Sequence, residues 1–189
     1  TTTDVATYSA TWWSYLASPP QSLLWWWTGE RFGGVELSLF PGAVAIALAA
    51  AAVFRRPRTI VVVYAALTLV IVELSLGLNG HLYSWLFDHV SALHGLRSPS
   101  RFGIVACCSI AMLAGFGAQT IHDRLAAFGP RPAAGVVAGL TMLVAIDNGT
   151  RGMLLMDLPY QTPSAFNVYK TIRALGPGPV LELPLPRLD

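Results

Sequence analysis

The chain has 189 residues, of which 54% are hydrophobic and only 12% are charged, and its net charge is +2. Soluble domains carry roughly 25% charged residues, so this chain lacks the surface of a soluble globule, and it is too hydrophobic to be disordered. The weak positive charge, with no basic run between aromatic residues, also excludes a nucleic-acid-binding protein. The composition therefore predicts a membrane protein.

The first 34 residues form a segment that contains five of the six tryptophans. Tryptophan prefers the headgroup layer of a membrane, so this segment is predicted to be an extracytoplasmic loop at the interface. Turn residues at 18–20 and 33–34 divide it, and we expect short interfacial helices at 7–17 and 21–28. An aromatic platform for a sugar or an isoprenoid chain is the alternative role for the tryptophans.

Four apolar runs predict four transmembrane helices. They cover residues 35–54, 59–77, 102–121 and 133–148. About 20 helical residues cross a hydrocarbon core of about 30 Å, and the fourth run reaches this length only if it is tilted or extended. Buried helices of soluble proteins usually keep a polar stripe, whereas residues 43–54 and 60–72 contain no charge. We therefore expect a transmembrane region at 35–148.

Between the second and third runs, apolar residues at helical spacing predict a helix at 81–94 that lies along the membrane surface. The links at 55–58 and 122–132 together have 15 residues and hold five of the 12 basic side chains. Basic residues concentrate on the cytoplasmic side, so these links are expected to face the cytoplasm. Both chain ends and the 78–101 loop then face outward.

The tail at 149–189 differs from the rest of the chain. Thr162 and Pro163 are typical of a helix start, the glycines and prolines at 176–179 end that helix, and 180–184 has the pattern of a strand. We expect the start of a small α/β extracytoplasmic domain, and we expect the chain to be a fragment of a longer protein. The predicted fold class is thus an all-α membrane protein with about four transmembrane helices, interfacial helices and this small α/β segment.

The stretch 95–102 carries the strongest chemical signal. Arg97, Ser98, Ser100 and Arg101 stand directly before the third run. Ser98 can cap that helix, with a proline at its first position, and a helix N-terminus favours anions. We predict that these four residues bind a phosphate or diphosphate at the outer membrane surface. The alternative is that the arginines contact lipid headgroups or pair with a carboxylate for structural reasons.

Glu73 lies about one turn from the outer end of the second predicted helix. An ionisable side chain inside a membrane segment needs a partner or water. Because its predicted depth matches the start of the third helix, we expect a charge pair with Arg97 or Arg101. The alternative is that the side chain extends to the interface.

A complete active site is not visible in the sequence. There is no phosphate-cradling glycine loop, nucleophile elbow or zinc signature. His81, Asp88 and His94 lack the spacing of metal ligands, and the two adjacent cysteines are expected to be packing residues. Asp147 ends the fourth run, where we expect it to be solvated. We assign no catalytic residue and expect no metal and no cofactor.

Four stretches of the chain look familiar in order and spacing. They are residues 39–42, 74–83, 95–102 and 178–184. They resemble motifs of bacterial multi-pass membrane proteins of the YfhO-like and GT-C-type glycosyltransferase group, and the resemblance covers residues from about 8 to 185.

This resemblance implies a protein of the bacterial inner (cytoplasmic) membrane that transfers a sugar from a polyprenyl-phosphate carrier on the extracytoplasmic face. Its partners would be membrane lipid and the polyprenyl-phosphate sugar donor, and Arg97, Ser98, Ser100 and Arg101 would bind the carrier phosphate. The catalytic carboxylate of such enzymes lies in a first outer loop, which this fragment is expected to lack. The alternative is a non-enzymatic protein that handles envelope polymers or lipids. A transporter is disfavoured because the helix cores lack paired charges at the midplane.

Overall fold

The computed structural model describes residues 2–33, 37–55, 58–152 and 170–174. Most of these residues are helical, and none of them belongs to a β-strand. The chain divides into two compact units, Thr1–Met153 and Leu154–Asp189, and residues 170–174 of the second unit are helical. The predicted helix start at 162–163 and the predicted strand at 180–184 lie outside the described residues.

Seven α-helices lie within the first unit's described ranges. They are α1 (Thr2–Thr7), α2 (Trp26–Phe32), α3 (Ala43–Arg55), α4 (Thr59–Ser75), α5 (His81–His89), α6 (Phe102–Leu125) and α7 (Pro130–Asp147). Short 3-10 helices occur between them, at Trp12–Leu16, Gly77–Asn79, Ser91–Gly95, Pro99–Arg101 and Ala126–Phe128. The prediction that the chain is mainly helical is therefore confirmed for the described residues.

Helix α6 lies at the centre of this unit and packs against α3, α4 and α7. Ala49 and Ala52 of α3 meet Leu113 of α6 in one of the buried clusters. Small residues allow two helix backbones to approach closely. At Gly117 the approach is extreme, because a Cβ atom there would overlap the carbonyl oxygen of Leu48.

The helical unit has two chemically different ends. At the arginine end, Arg55 and Arg124 lie on one cavity, and the Arg58 guanidinium is 3.8 Å from the Asp123 carboxylate. We call the opposite end the tryptophan end, where Trp25 contacts the C-terminus of α7. The two links that the arginine pattern assigned to one side of a membrane thus meet at one end of the bundle.

Helix α3 begins later than the apolar run at 35–54 predicted. Pro41 and Gly42 precede the helix, and Gly42 has a φ of 97°, a conformation that other residues rarely adopt. A Cβ on Gly42 would also lie 2.7 Å from a carboxylate oxygen of Asp147 and 2.8 Å from the amide nitrogen of Asn148. The helix therefore cannot extend back through this position.

The other predicted boundaries shift by smaller amounts. α4 ends at Ser75 instead of residue 77, because Gly77 has a φ of 55° and begins a 3-10 turn. The surface helix predicted at 81–94 divides at Val90, which is extended and separates α5 from the next 3-10 helix. α6 runs to Leu125, beyond the predicted end at 121, and α7 begins at its proline-rich start instead of at 133.

The interfacial helices expected at 7–17 and 21–28 have different bounds. The backbone N–H of Thr11 donates to the Ser14 hydroxyl at 3.0 Å, and this local cap starts a 3-10 helix at Trp12. The two consecutive prolines that follow favour a turn, so the next α-helix, α2, begins only at Trp26. The N-terminal segment is thus more irregular than its apolar pattern predicted.

One described helical stretch, Pro99–Leu125, is long and apolar enough to cross a membrane, and only 22% of its most apolar window is buried. α3 and α4 are apolar but shorter, at about 20 Å and about 26 Å, and α7 is about 27 Å long. Four spans therefore stay a prediction, for which one helix meets the criteria of length and hydropathy.

Candidate phosphate-binding site

Three of the four predicted phosphate ligands line one cavity at the tryptophan end. The cavity has a volume of about 730 Å³, and its lining includes Arg97, Ser98, Arg101 and Tyr8. Two apolar side chains from the first turns of α6 complete one wall. Both arginines are exposed, so a ligand that enters the cavity from solvent meets two cationic side chains.

The N-terminal segment, which contributes Tyr8 to this cavity, accepts hydrogen bonds from the rest of the unit. The backbone N–H of Ser100 donates to the Tyr8 carbonyl at 3.1 Å, and the Asn79 amide donates to the Ala10 carbonyl at 3.0 Å. The guanidinium carbon of Arg97 lies 5.4 Å from the centre of the Tyr8 ring, a cation–π contact. Tyr8 thus orients Arg97, one of the predicted phosphate ligands. The sequence spacing gave no indication that Tyr8 belongs to this site.

The two serines take different positions from those expected. Pro99 stands at the first helical position, as predicted, but the Ser98 side chain does not cap the helix. Its hydroxyl lies 3.2 Å from the hydroxyl of Ser100 instead. Ser100 is only 2% exposed and is not among the residues that line the cavity. Ser98 is therefore the better placed of the two to contact a ligand.

Glu73 contacts the N-terminus of α5. Its Oε1 atom accepts hydrogen bonds from the backbone N–H groups of His81, at 2.5 Å, and Leu82, at 3.2 Å. These are orphan donors of a helix start, so the carboxylate acts as a cap and complements the helix dipole. Pairing of Glu73 with Arg97 or Arg101 stays a prediction, and these contacts give its carboxylate another role.

Asp147 is buried, with 5% of its surface exposed, and the expectation that it is solvated is wrong. Its Oδ1 atom accepts a hydrogen bond from the indole N–H of Trp25 at 2.7 Å, and its Oδ2 atom accepts one from the backbone N–H of Val44 at 2.8 Å. One carboxylate thus connects the C-terminus of α7, the N-terminus of α3 and the tryptophan-rich segment. These partners lie more than 100 residues away in sequence, so no local pattern reveals them.

Two tyrosine side chains lie near the same end, of which Tyr15 is half-buried and Tyr83 is buried. Tyr15 bonds to the hydroxyl of Ser75 at 2.6 Å, and burial raises the pKa of Tyr15, more than the hydrogen bond lowers it. Burial also raises the pKa of Tyr83, whose hydroxyl makes no hydrogen bond within the described structure. Both side chains therefore remain neutral at physiological pH.

A second cavity, of about 600 Å³, lies between α3, α6 and α7. Its lining is mainly apolar and includes Leu48, Ala111 and Leu140, with the Asn148 amide as one of the few polar groups. It uses a different face of α6 from the arginine-lined cavity. In the described ranges, no group of three or more metal-ligating side chains comes together.

Comparison with protein-family models, with curated proteins and with solved structures finds no match to this chain.

Proposed function

We propose that the helical unit is part of an integral membrane protein of glycosyltransferase type, which takes a sugar from a polyprenyl-phosphate carrier on the extracytoplasmic face. α3, α4, α6 and α7 span the bilayer, with the arginine end toward the cytoplasm. Large apolar side chains on the outside of three helices support this placement, among them Leu69, which is 71% exposed, Met142, at 66%, and Ile104, at 63%. Water-facing helices rarely carry so many of them.

The observation that carries the proposal is the cavity shared by Arg97, Ser98 and Arg101. Arginine binds phosphate through several charge-assisted hydrogen bonds, and two guanidinium groups suit a phosphodiester or diphosphate better than one. The apolar wall from α6 begins directly beside these cations, where Val105 is 49% exposed. A ligand that joins a phosphate to an apolar chain matches this arrangement.

The apolar cavity between α3, α6 and α7 supports the same ligand class. It offers a volume of about 600 Å³ beside α6, the helix that begins directly after Arg101. An isoprenoid chain that enters this cavity would contact mainly apolar side chains of the protein. Trp12 and Trp13, which are 65% and 60% exposed at the tryptophan end, would contact the headgroup layer or the acceptor.

The test is transfer from radiolabelled polyprenyl-phosphate sugars by the full-length protein in liposomes. The parent should transfer sugar, and an Arg97→Ala/Arg101→Ala variant should lose at least tenfold in activity, because each charged hydrogen bond contributes about 1.5–3 kcal/mol. An Arg31→Ala/Arg151→Ala variant is the matched control, since it removes two exposed arginines at the tryptophan end that do not line the cavity. Equal losses in both variants would refute a specific phosphate site.

The second candidate is a non-enzymatic protein that binds a lipid-linked sugar or polymer. The hydrogen bonds of Glu73 and Asp147 favour it, because both carboxylates accept N–H donors and suit structural roles better than that of a general base. On the enzymatic proposal, the base comes from another part of the protein. Binding of the labelled carrier that depends on Arg97 and Arg101, without transfer to any acceptor, would favour this second function.

A further inference from the structure

A third cavity lies at the arginine end, on the side opposite to the proposed carrier site. It has a volume of about 310 Å³. Its lining consists of Ala51, Arg55, Thr120, Ile121, Arg124 and Leu125. Arg55 ends α3 and Arg124 lies in the last turn of α6, so two helices from distant parts of the sequence bring two guanidinium groups to one cavity.

The charge balance of this cavity is positive. The nearest acidic group on α6, Asp123, lies 3.8 Å from Arg58 and 3.6 Å from His122, and in the described part of the chain neither Arg55 nor Arg124 forms an ion pair. The C-termini of α3 and α6 also point here, and each contributes roughly half a negative charge. Two full positive charges therefore exceed the two partial negative charges by about one unit.

The rest of the lining is apolar in character. The hydroxyl of Thr120 donates to the Phe116 carbonyl at 2.9 Å and is thus already used. Phe54, which precedes Arg55 in the sequence, is 84% exposed. A ligand that fits must be anionic where it meets the arginines and apolar where it meets the helices.

We propose that this cavity binds the phosphate headgroup of an anionic lipid from the leaflet at the arginine end. Basic pockets between transmembrane helices on the cytoplasmic side bind anionic lipid headgroups in this way. The proposal rests on the membrane placement given above but not on the sugar-transfer reaction. The lipid's phosphate lies between Arg55 and Arg124. Its acyl chain lies along the exposed apolar side chains of α3, which include Ile46 and Phe54.

The experiment is native mass spectrometry of the full-length protein in detergent, titrated with phosphatidylglycerol and, separately, with phosphatidylcholine. Each surface arginine contributes roughly a fivefold gain in binding to an anionic lipid surface. We expect Arg55→Gln and Arg124→Gln each to weaken phosphatidylglycerol binding by about fivefold or more, with little effect on phosphatidylcholine. Arg131→Gln is the matched control, because Arg131 is exposed at the start of α7 and does not line the cavity.

Three results would overturn the proposal. Arg131→Gln could weaken binding as much as Arg55→Gln, which would indicate unspecific surface attraction. Phosphatidylcholine could bind as tightly as phosphatidylglycerol. Inorganic phosphate at millimolar concentration could displace the lipid from the parent protein, which would assign the cavity to free phosphate.

Two controls separate this proposal from the proposed function. Arg31→Gln should leave phosphatidylglycerol binding unchanged, since Arg31 is exposed at the tryptophan end and lines neither arginine cavity. An alkaline carbonate wash of the membranes tests placement directly. A protein released by the wash contradicts the membrane placement itself, whereas a retained protein without lipid preference contradicts only the lipid site.

Discussion

Asp147 should be one of the most important single residues for stability, because it is buried and receives two N–H donors. Each hydrogen bond to a charged group contributes about 1.5–3 kcal/mol, and the carboxylate also complements the N-terminus of α3 by about 0.3–1 kcal/mol. Replacing Asp147 with alanine leaves the indole N–H of Trp25 and the backbone N–H of Val44 without their acceptor. Since such contributions are not additive, we expect a loss of about 3–5 kcal/mol for Asp147→Ala and about 2 kcal/mol for Asp147→Asn.

Thermal unfolding in detergent, followed by circular dichroism, measures this loss. In a chain of this size, 1 kcal/mol lowers Tm by about 2–4 °C, so Asp147→Ala should melt at least about 6 °C below the parent. Trp25→Phe removes one of the two donors, and Trp26→Phe is its control because Trp26 is 43% exposed. In a double-mutant cycle, Asp147→Asn and Trp25→Phe should couple by about 1 kcal/mol or more. A melting temperature of Asp147→Ala within 2 °C of the parent would refute the buried bridge.

Two further predictions concern the helix contacts. Gly117→Ala should destabilise the protein by about 1–3 kcal/mol because its Cβ would overlap the carbonyl of Leu48, whereas Gly135→Ala in α7, which has open space, should stabilise it by about 0.5–1 kcal/mol. Chemical unfolding of the two variants decides this, and shifts of the same sign would contradict the close packing of α3 on α6. Glu73→Ala should cost about 1 kcal/mol as a lost cap, while Glu73→Gln keeps an acceptor oxygen and should melt near the parent. A large loss in Glu73→Gln would instead favour the charge pair with an arginine.

The helices of this chain were predictable from the sequence because the apolar runs are long and free of charge. The starts of α4 and α6 agree with the prediction because local signals mark them, such as the link of basic residues before Thr59 and the proline before Phe102. The start of α3 was not predictable. It depends on Gly42, whose left-handed backbone lies against a carboxylate from the end of α7.

The same distinction applies to the candidate site. Arg97, Ser98 and Arg101 are close in sequence and line one cavity, so a local motif was sufficient to group them. Ser100 is buried, and its backbone N–H donates to the Tyr8 carbonyl, from a segment about 90 residues earlier in the chain, so its role as a phosphate ligand stays a prediction. Residues whose environment is set by distant partners cannot be assigned from spacing in a single sequence.

Helix α6 connects the two proposed anion sites. Arg101 immediately precedes it and Arg124 lies in its last turn, so the two arginines are separated by about 35 Å along the helix axis. This distance slightly exceeds the hydrocarbon thickness of about 30 Å, which would place each arginine in a headgroup layer. The two cavities therefore support the same placement of α6 across a bilayer, although their ligands and their tests are independent.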